Sequence, residues 1–341
     1  MNIKEGLTYD DVLLIPQYSD IVSRSEINIS SVLHGPYAAM SLSLPLIASP
    51  MDTVCESQMG AAMWQAGGFG IIHRYNSIEQ QCALVDQVVV GFGANAGAAV
   101  GTTGDYLDRA IALHEAGARV LCIDVAHGHH ILVKETLQDL RNVLGDTVHL
   151  MAGNVATLEG YNDLVDWGAD SVRCNIGGGS ICSTRIQTGH GVPGLQTIFD
   201  CAKSDRRAAI IADGGIRNAG DIVKALAAGA DFVMLGSLLA GTDETPGDVI
   251  NTRQGKFKSY RGMASKDAQI EWRGRTASLE GVATTVPCKG PVENVLAELE
   301  RGIRSGFSYS AARNLRELQS KAKFIRQTAS GHVESTTHIL R

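Results

Sequence analysis

One phrase occurs three times in this chain and decides its fold: Ala116-Gly117-Ala118-Arg119-Val120, Trp167-Gly168-Ala169-Asp170-Ser171-Val172 and Ala228-Gly229-Ala230-Asp231-Phe232-Val233. Each copy closes an amphipathic stretch with glycine, the residue that takes the left-handed conformation of a helix C-cap most cheaply. An apolar run follows each: VLCIDV from Val120, SVRCNI from Ser171 and FVMLGS from Phe232. These runs are too short for helices and read as parallel strands buried on both faces. Five more, PLIAS from Pro45, GFGIIH from Gly68, AGAAVG from Ala96, VHLMAG from Val148 and AAIIADGG from Ala208, bring the number to eight. Amphipathic stretches separate them, among them Tyr106 to Glu115, Thr157 to Asp166 and Ala219 to Ala227. Strand and helix alternating eight times predict an α/β fold, a closed (β/α)8 TIM barrel of roughly 250 residues. An open doubly wound sheet is the alternative for the same pattern. The expected layout is a single domain over 1–341, with a flap at about 257–290 and a C-terminal tail at about 328–341.

A net charge of −6, with Lys and Arg scattered, argues against nucleic acid as the main partner, because backbone binding needs a concentrated basic surface. The seven cysteines are odd in number, far apart and free of C-x-x-C spacing, as reduced thiols in a reducing compartment would be. The opening MNIKEGLTYDD lacks a signal peptide's apolar core, and no apolar run reaches the ~20 residues of a membrane helix. A cytoplasmic protein with no membrane partner is expected.

In such barrels the chemistry sits at the C-terminal ends of the strands. Here those ends are Ser49 to Asp52, His73, Gly101, Asp124, Gly153-Asn154, the Gly177 to Thr184 loop, Asp213 to Gly215, and Gly236-Ser237. None is a lysine, which disfavours a Schiff-base mechanism. The loop Gly177-Gly178-Gly179-Ser180-Ile181-Cys182-Ser183-Thr184-Arg185 offers backbone amides and the Ser180 hydroxyl to an anion. It also carries Cys182 at the mouth, where a thiolate can be reached. Cys122 and Cys201, in a strand and a helix, read as buried structural thiols. Asp213-Gly214-Gly215 and Gly236-Ser237 end the last two strands, where barrels often build a phosphate site, and the Asp213 carboxylate suits a ribose diol. His127, His129 and His130 suggest a metal-dependent hydrolase, but three histidines within four positions cannot easily converge on one ion.

Seven segments carry a resemblance: LTYDDVLLIPQ from Leu7, SPMDTV from Ser49, GGGSICSTR from Gly177, ADGGI from Ala212, LGSLLAG from Leu235, YRGMAS from Tyr260 and EGVATTVPCKG from Glu280. In order and spacing they resemble the IMP dehydrogenase and GMP reductase family from Leu7 to about Ser335. The resemblance implies a purine nucleoside monophosphate bound beside a nicotinamide dinucleotide. It places the phosphate on Ser180, Gly215, Gly236, Ser237 and Tyr260, the ribose on Asp213, and the base on Gly262, Met263 and Glu280. Asp124 and Asn154 would face the nicotinamide. It further implies a homotetramer and a K+ site at the carbonyls of Gly177, Gly179 and Cys182, completed by a neighbour's Ser330 to Ser335 segment. The sequence departs from the family at Gly178, usually proline, at Asn175, usually glycine, and at Ser183, usually threonine. Gly178 gives the loop added freedom.

Both family reactions begin with the Cys182 thiolate adding to purine C2. The dehydrogenase must then hydrolyse its adduct, using an Arg-Tyr pair on a longer flap. Here the segment between Met263 and Glu280, ASKDAQIEWRGRTASL, contains no tyrosine. The regulatory modules usual in the dehydrogenases are missing too, since Ala99 to Leu121 holds one helix between two strands. These features point to a GMP reductase using NADPH, with Cys182, Thr184 and Glu280 catalytic. The opening segment, GFGIIHRYNSIEQQ and the tail look more like a dehydrogenase, so an IMP dehydrogenase without regulatory modules is the alternative.

Overall fold

A computed structural model describes residues 3–35, 39–277 and 279–337. Eight parallel strands close a barrel in chain order: β1 Leu46–Ala48, β2 Phe69–Ile72, β3 Ala96–Val100, β4 Ala118–Asp124, β5 His149–Val155, β6 Ser171–Cys174, β7 Ala209–Asp213 and β8 Phe232–Leu235. The (β/α)8 barrel is therefore established, and all eight expected runs are its strands. Ile47, Phe69, Ile71, Val120, Met151, Ile211, Phe232 and Met234 fill its interior. Alternate residues such as Leu46, Leu121, Leu150 and Val233 meet the surrounding helices, which is why the strands read as unbroken apolar runs. Leu33 and Leu42, on the antiparallel strands Ser31–Leu33 and Met40–Leu42, join the interior cluster.

Each repeated phrase does one job. Gly117, Gly168 and Gly229 have φ of +100°, +112° and +120° and turn the chain out of helices Tyr106–Glu115, Leu158–Asp166 and Ala219–Ala227. The aspartates that follow brace the adjoining strand: Asp170 Oδ2 accepts from Leu150 N at 2.7 Å, and Asp231 Oδ2 from Ile210 N at 2.8 Å. Arg119, in the first copy, has no acceptor to offer there.

Past β8 the chain builds an antiparallel sheet of β9 Ile250–Thr252, β10 Gly255–Arg261 and β11 Ala283–Pro287, with the helix Lys266–Arg273 between the last two. This sheet and helix cover the span expected as a flap, about 257–290, and the sheet begins at Ile250; they are called the flap below. The buried Lys258 Nζ fastens it to the barrel by donating to the carbonyls of Thr242, Asp243 and Thr245. The helix Val292–Tyr309 then packs on Ala219–Ala227, and Phe324–Arg326 pairs antiparallel with Val12–Leu14. The expected tail forms the helix Ala329–Glu334, and residues 338–341 of it lie outside the described residues. Among the described residues no helix is long and apolar enough to cross a membrane.

Candidate active site

A cavity of about 460 Å³ opens at the C-terminal ends of the strands. Three glycine turns meet on one side of it. A Cβ on Gly214 would lie 3.1 Å from Gly179 N, and one on Gly215 3.4 Å from the Gly178 carbonyl, so bare backbone lets these turns touch. Gly236 lies against the Tyr260 hydroxyl, which would be 3.2 Å from a Cβ there. Tyr260 OH in turn stands 3.4 Å from Ser180 Oγ. Burial raises the Tyr260 pKa, and hydrogen bonds with Ser180 and Ser237 oppose the rise. The phenol is thus neutral and can donate. Ser180, Gly215, Gly236, Ser237 and Tyr260 all line the cavity, forming a cluster of amides and hydroxyls suited to a phosphate.

The Cys182 loop is stitched to the flap by backbone bonds. Ser183 N donates to the Glu280 carbonyl at 2.8 Å, Val282 N to the Ile181 carbonyl at 3.0 Å, and Cys182 bridges Gly281. Glu280 N donates to the Ala264 carbonyl at 3.2 Å. Cys182, Thr184 and Glu280 are thereby brought to one wall of the cavity. The Cys182 thiol donates to Thr184 Oγ1 at 3.1 Å, and Thr184 is buried while Cys182 is half-buried. Gly262 and Met263 continue the wall, and Met263 Sδ accepts from Asp52 N at 3.3 Å. Arg261 ties the β1 end to the flap helix through Asp52 at 2.7 Å and Glu271 at 2.6 Å.

On the cavity floor Asp213 Oδ2 accepts from Asn154 Nδ2 at 2.8 Å and from Arg173 Nε and Nη2 at 3.0 and 2.8 Å. Arg173 Nη1 reaches Asp124 Oδ1 at 2.5 Å. Burial works against the Arg173 charge, but Asp213 and Asp124 more than offset it and hold its pKa well above the usual value. Arg74 lies beyond, with Nη2 on the Asp124 carbonyl at 3.1 Å and its buried Nε, which makes no hydrogen bond, paired with Asp124 Oδ2 at 4.0 Å. Tyr75 stacks on Trp272 of the flap helix at 4.2 Å, and Arg74 and Arg273 flank the pair. The cavity runs on past Asp124 to Arg74, Tyr75 and Arg273, which gives room, aromatic surface and positive charge for a second, anionic ligand such as a dinucleotide.

Several of the other expected residues sit away from the cavity. His73 is buried against Glu56 at 2.9 Å, and Gly101 does not line the cavity. His129 pairs with Asp163 at 2.8 Å, while His130 Nδ1 accepts from Leu132 N and caps the helix Ile131–Leu144. Cys122 and Cys201 are buried, and burial pushes the Cys122 thiol up to about 12. Gly177, Gly179 and Cys182, whose carbonyls the resemblance gives to K+, share one turn in which Gly179 O already accepts from Cys182 N. Arg173, Arg74, Tyr75 and Gln269 were not anticipated as cavity residues, whereas Arg273, which with Arg275 was the candidate for activating water in the dehydrogenase alternative, does line the cavity. Arg173 had one visible signal, a charge inside an otherwise apolar strand.

Comparison with known proteins places the chain in a family. The pattern of the IMP dehydrogenase / GMP reductase domain matches residues 6–338. An inosine-5'-monophosphate dehydrogenase of Nitrosopumilus maritimus (strain SCM1) is 34% identical, the match covering 99% of each chain. A GMP reductase of Leishmania major is 33% identical, covering 98% of this chain and 97% of that one. A crystal structure of a Trypanosoma brucei GMP reductase, a cysteine-to-alanine variant in complex with guanosine 5'-monophosphate, superposes with a TM-score of 0.92 at 33% identity over 98% of both chains. The alignments with the first two run over 475 and 481 positions, so each has a long segment with no counterpart in these 341 residues. Since one is named a dehydrogenase and the other a reductase, the missing segment does not separate the two reactions. What the match over 6–338 and the shared barrel do establish is membership: this chain belongs to the IMP dehydrogenase/GMP reductase family.

Proposed function

We propose that this oxidoreductase is a GMP reductase, converting GMP to IMP and ammonia with NADPH. The observation that carries the reading is the flap. It roofs the cavity with Gln269, Arg273 and Ala277, and between Met263 and Glu280 it has no tyrosine and no Arg-Tyr pair with which to activate water. Ser180, Gly215, Gly236, Ser237 and Tyr260 hold the phosphate, Asp213 Oδ1 accepts from the ribose, and Gly262, Met263 and Glu280 face the base. Cys182 Sγ then adds to C2. Thr184 Oγ1, which holds the thiol hydrogen bond, and the Glu280 carboxyl pass protons to the exocyclic amine so that it leaves as ammonia. NADPH, with its nicotinamide beside Asp124 and Asn154, supplies the hydride that C2 receives. The C2–S bond then breaks, returning the thiolate and releasing IMP.

The same reading assigns a K+ ion to the carbonyls of Gly177, Gly179 and Cys182, and a homotetramer in the cytoplasm. The test is absorbance of the reduced nicotinamide: GMP with NADPH is expected to consume it, and IMP with NAD+ to yield no XMP. Glu280→Gln is expected to slow deamination more than hydride transfer, which the reverse reaction from IMP, NADP+ and ammonia checks. Steady XMP formation from IMP would establish the dehydrogenase instead, with Arg273 on the cavity wall as the candidate for activating water.

A further inference from the structure

Arg173 stands at the centre of the floor and belongs to neither ligand. It leaves β6 between β5 and β7, in register with Gly153 on one side and Ile211 on the other. A Cβ at Gly153 would lie 2.5 Å from the Arg173 Cβ, so the neighbouring strand gives up its side chain where the arginine rises. The guanidinium is almost fully buried, with 7% of its side chain exposed. Its donors divide: Nε and Nη2 go to Asp213 Oδ2, and Nη1 to Asp124 Oδ1. Both carboxylates are thus fixed by one rigid, planar group whose fork cannot satisfy one without constraining the other. Asn154 adds a further donor to the same Asp213 oxygen, so Oδ2 is committed in a residue that lines the cavity.

We infer that Arg173 is a positioning residue shared by both ligand subsites, aiming Asp213 at the nucleotide ribose and Asp124 at the nicotinamide side, so that each ligand's affinity depends on the same guanidinium. The inference rests on the roles proposed above for Asp213 and Asp124. Lysine keeps the charge but has no planar fork, so its single ammonium, drawn between the two carboxylates, fixes the direction of neither. A neutral residue would leave two carboxylates facing each other in a dry site, and each would tend to take up a proton.

Arg173→Lys, Asp213→Asn, Asp124→Asn and the two doubles with Arg173→Lys are the variants to make. GMP and IMP, then NADP+ and NAD+, are titrated by calorimetry in pairs that do not react, so binding is read whichever direction the enzyme runs. Arg173→Lys is expected to weaken both the nucleotide and the dinucleotide by about tenfold. Its effect on the nucleotide should largely vanish in the Asp213→Asn background and persist for the dinucleotide. The converse should hold in Asp124→Asn. A general loss of packing would move both affinities in both backgrounds alike. If Arg173→Lys does not fold, Asp124→Asn alone serves: released from one side, Arg173 should shift and change nucleotide affinity several-fold. Either ligand's affinity unchanged in Arg173→Lys, additive effects in both cycles, or nucleotide binding untouched by Asp124→Asn in that second case would overturn the inference. Binding of IMP but not GMP would revise the proposed reaction and leave this test intact.

Discussion

The side chain of Asn175 fills the space that a Cβ on residue 178 would need. A Cβ added to Gly178 would lie 2.0 Å from Asn175 Nδ2 and 2.8 Å from its Cγ. Asn175 itself has φ of +143°, a conformation that favours glycine, and is held by its N–H on the Val155 carbonyl and its Nδ2 on the Gly214 carbonyl. The two positions at which the sequence resemblance marks departures thus compete for one space, which the side chain at 175 occupies. Gly178→Pro alone should cost about 1–3 kcal/mol and most of the activity, while Asn175→Gly with Gly178→Pro should recover both. Thermal unfolding and kcat for the two singles and the double decide it, and additive losses would mean that the positions act independently.

Cys182→Ala is expected to abolish turnover and to leave nucleotide affinity within about tenfold, or ~1.4 kcal/mol, because the thiol supplies a bond in the reaction more than ground-state contact. Calorimetry beside the absorbance assay separates the two, and activity near the wild-type level would rule out the covalent route.

For Asp213→Ala the expected change is in binding, a loss of about 1.5–3 kcal/mol of nucleotide affinity as a charge-assisted pair disappears. A 2'-deoxy or 3'-deoxy nucleotide should lose less against the variant than against the wild type. Equal losses in both would take Asp213 away from the ribose.

His149 ties stability to pH. Burial pushes its pKa down to about 4, with Asp170 opposing, and Nε2 shares a hydrogen bond of 2.8 Å with Ser171 Oγ. The fold thus prefers the neutral ring, and that preference is fully present above the unfolded value of about 6.5. As pH falls from there towards 4 the unfolded state binds the proton first, and stability should drop by up to about 1.4 kcal/mol per unit. Urea unfolding of the wild type and of His149→Asn across this range is the measurement, and the variant should show the shallower slope.

The barrel was legible because its determinants are local. A glycine that caps a helix and an unbroken apolar run each declare themselves within a few residues, and the three repeated phrases do so in phase. The Cys182 loop was legible for the same reason, being contiguous. The boundaries of the flap were not, since the hairpin from Ile250 to Arg261 is short and polar, is exposed over all but Lys258 and Tyr260 and their partly buried neighbours, and has no apolar periodicity to announce it. Arg173 and Arg74 escaped because their meaning lies in which neighbours the closed barrel brings to them, across strands fifty residues apart in sequence. The pairing of Tyr75 with Trp272 depends on the flap folding back over the barrel, which no local pattern encodes.

The backbone bonds between residues 181–183 and 280–282 join the loop of Cys182, the proposed nucleophile, to the strand end of Glu280, the proposed acid. Lifting the flap strips Ile181 and Ser183 of their partners, and with them the scaffold that presents Cys182. In the proposed reaction an open cleft would be an unarmed one: the thiol would be set for attack only while the roof is down, and solvent admitted with substrate or released with product would meet a site not yet, or no longer, assembled.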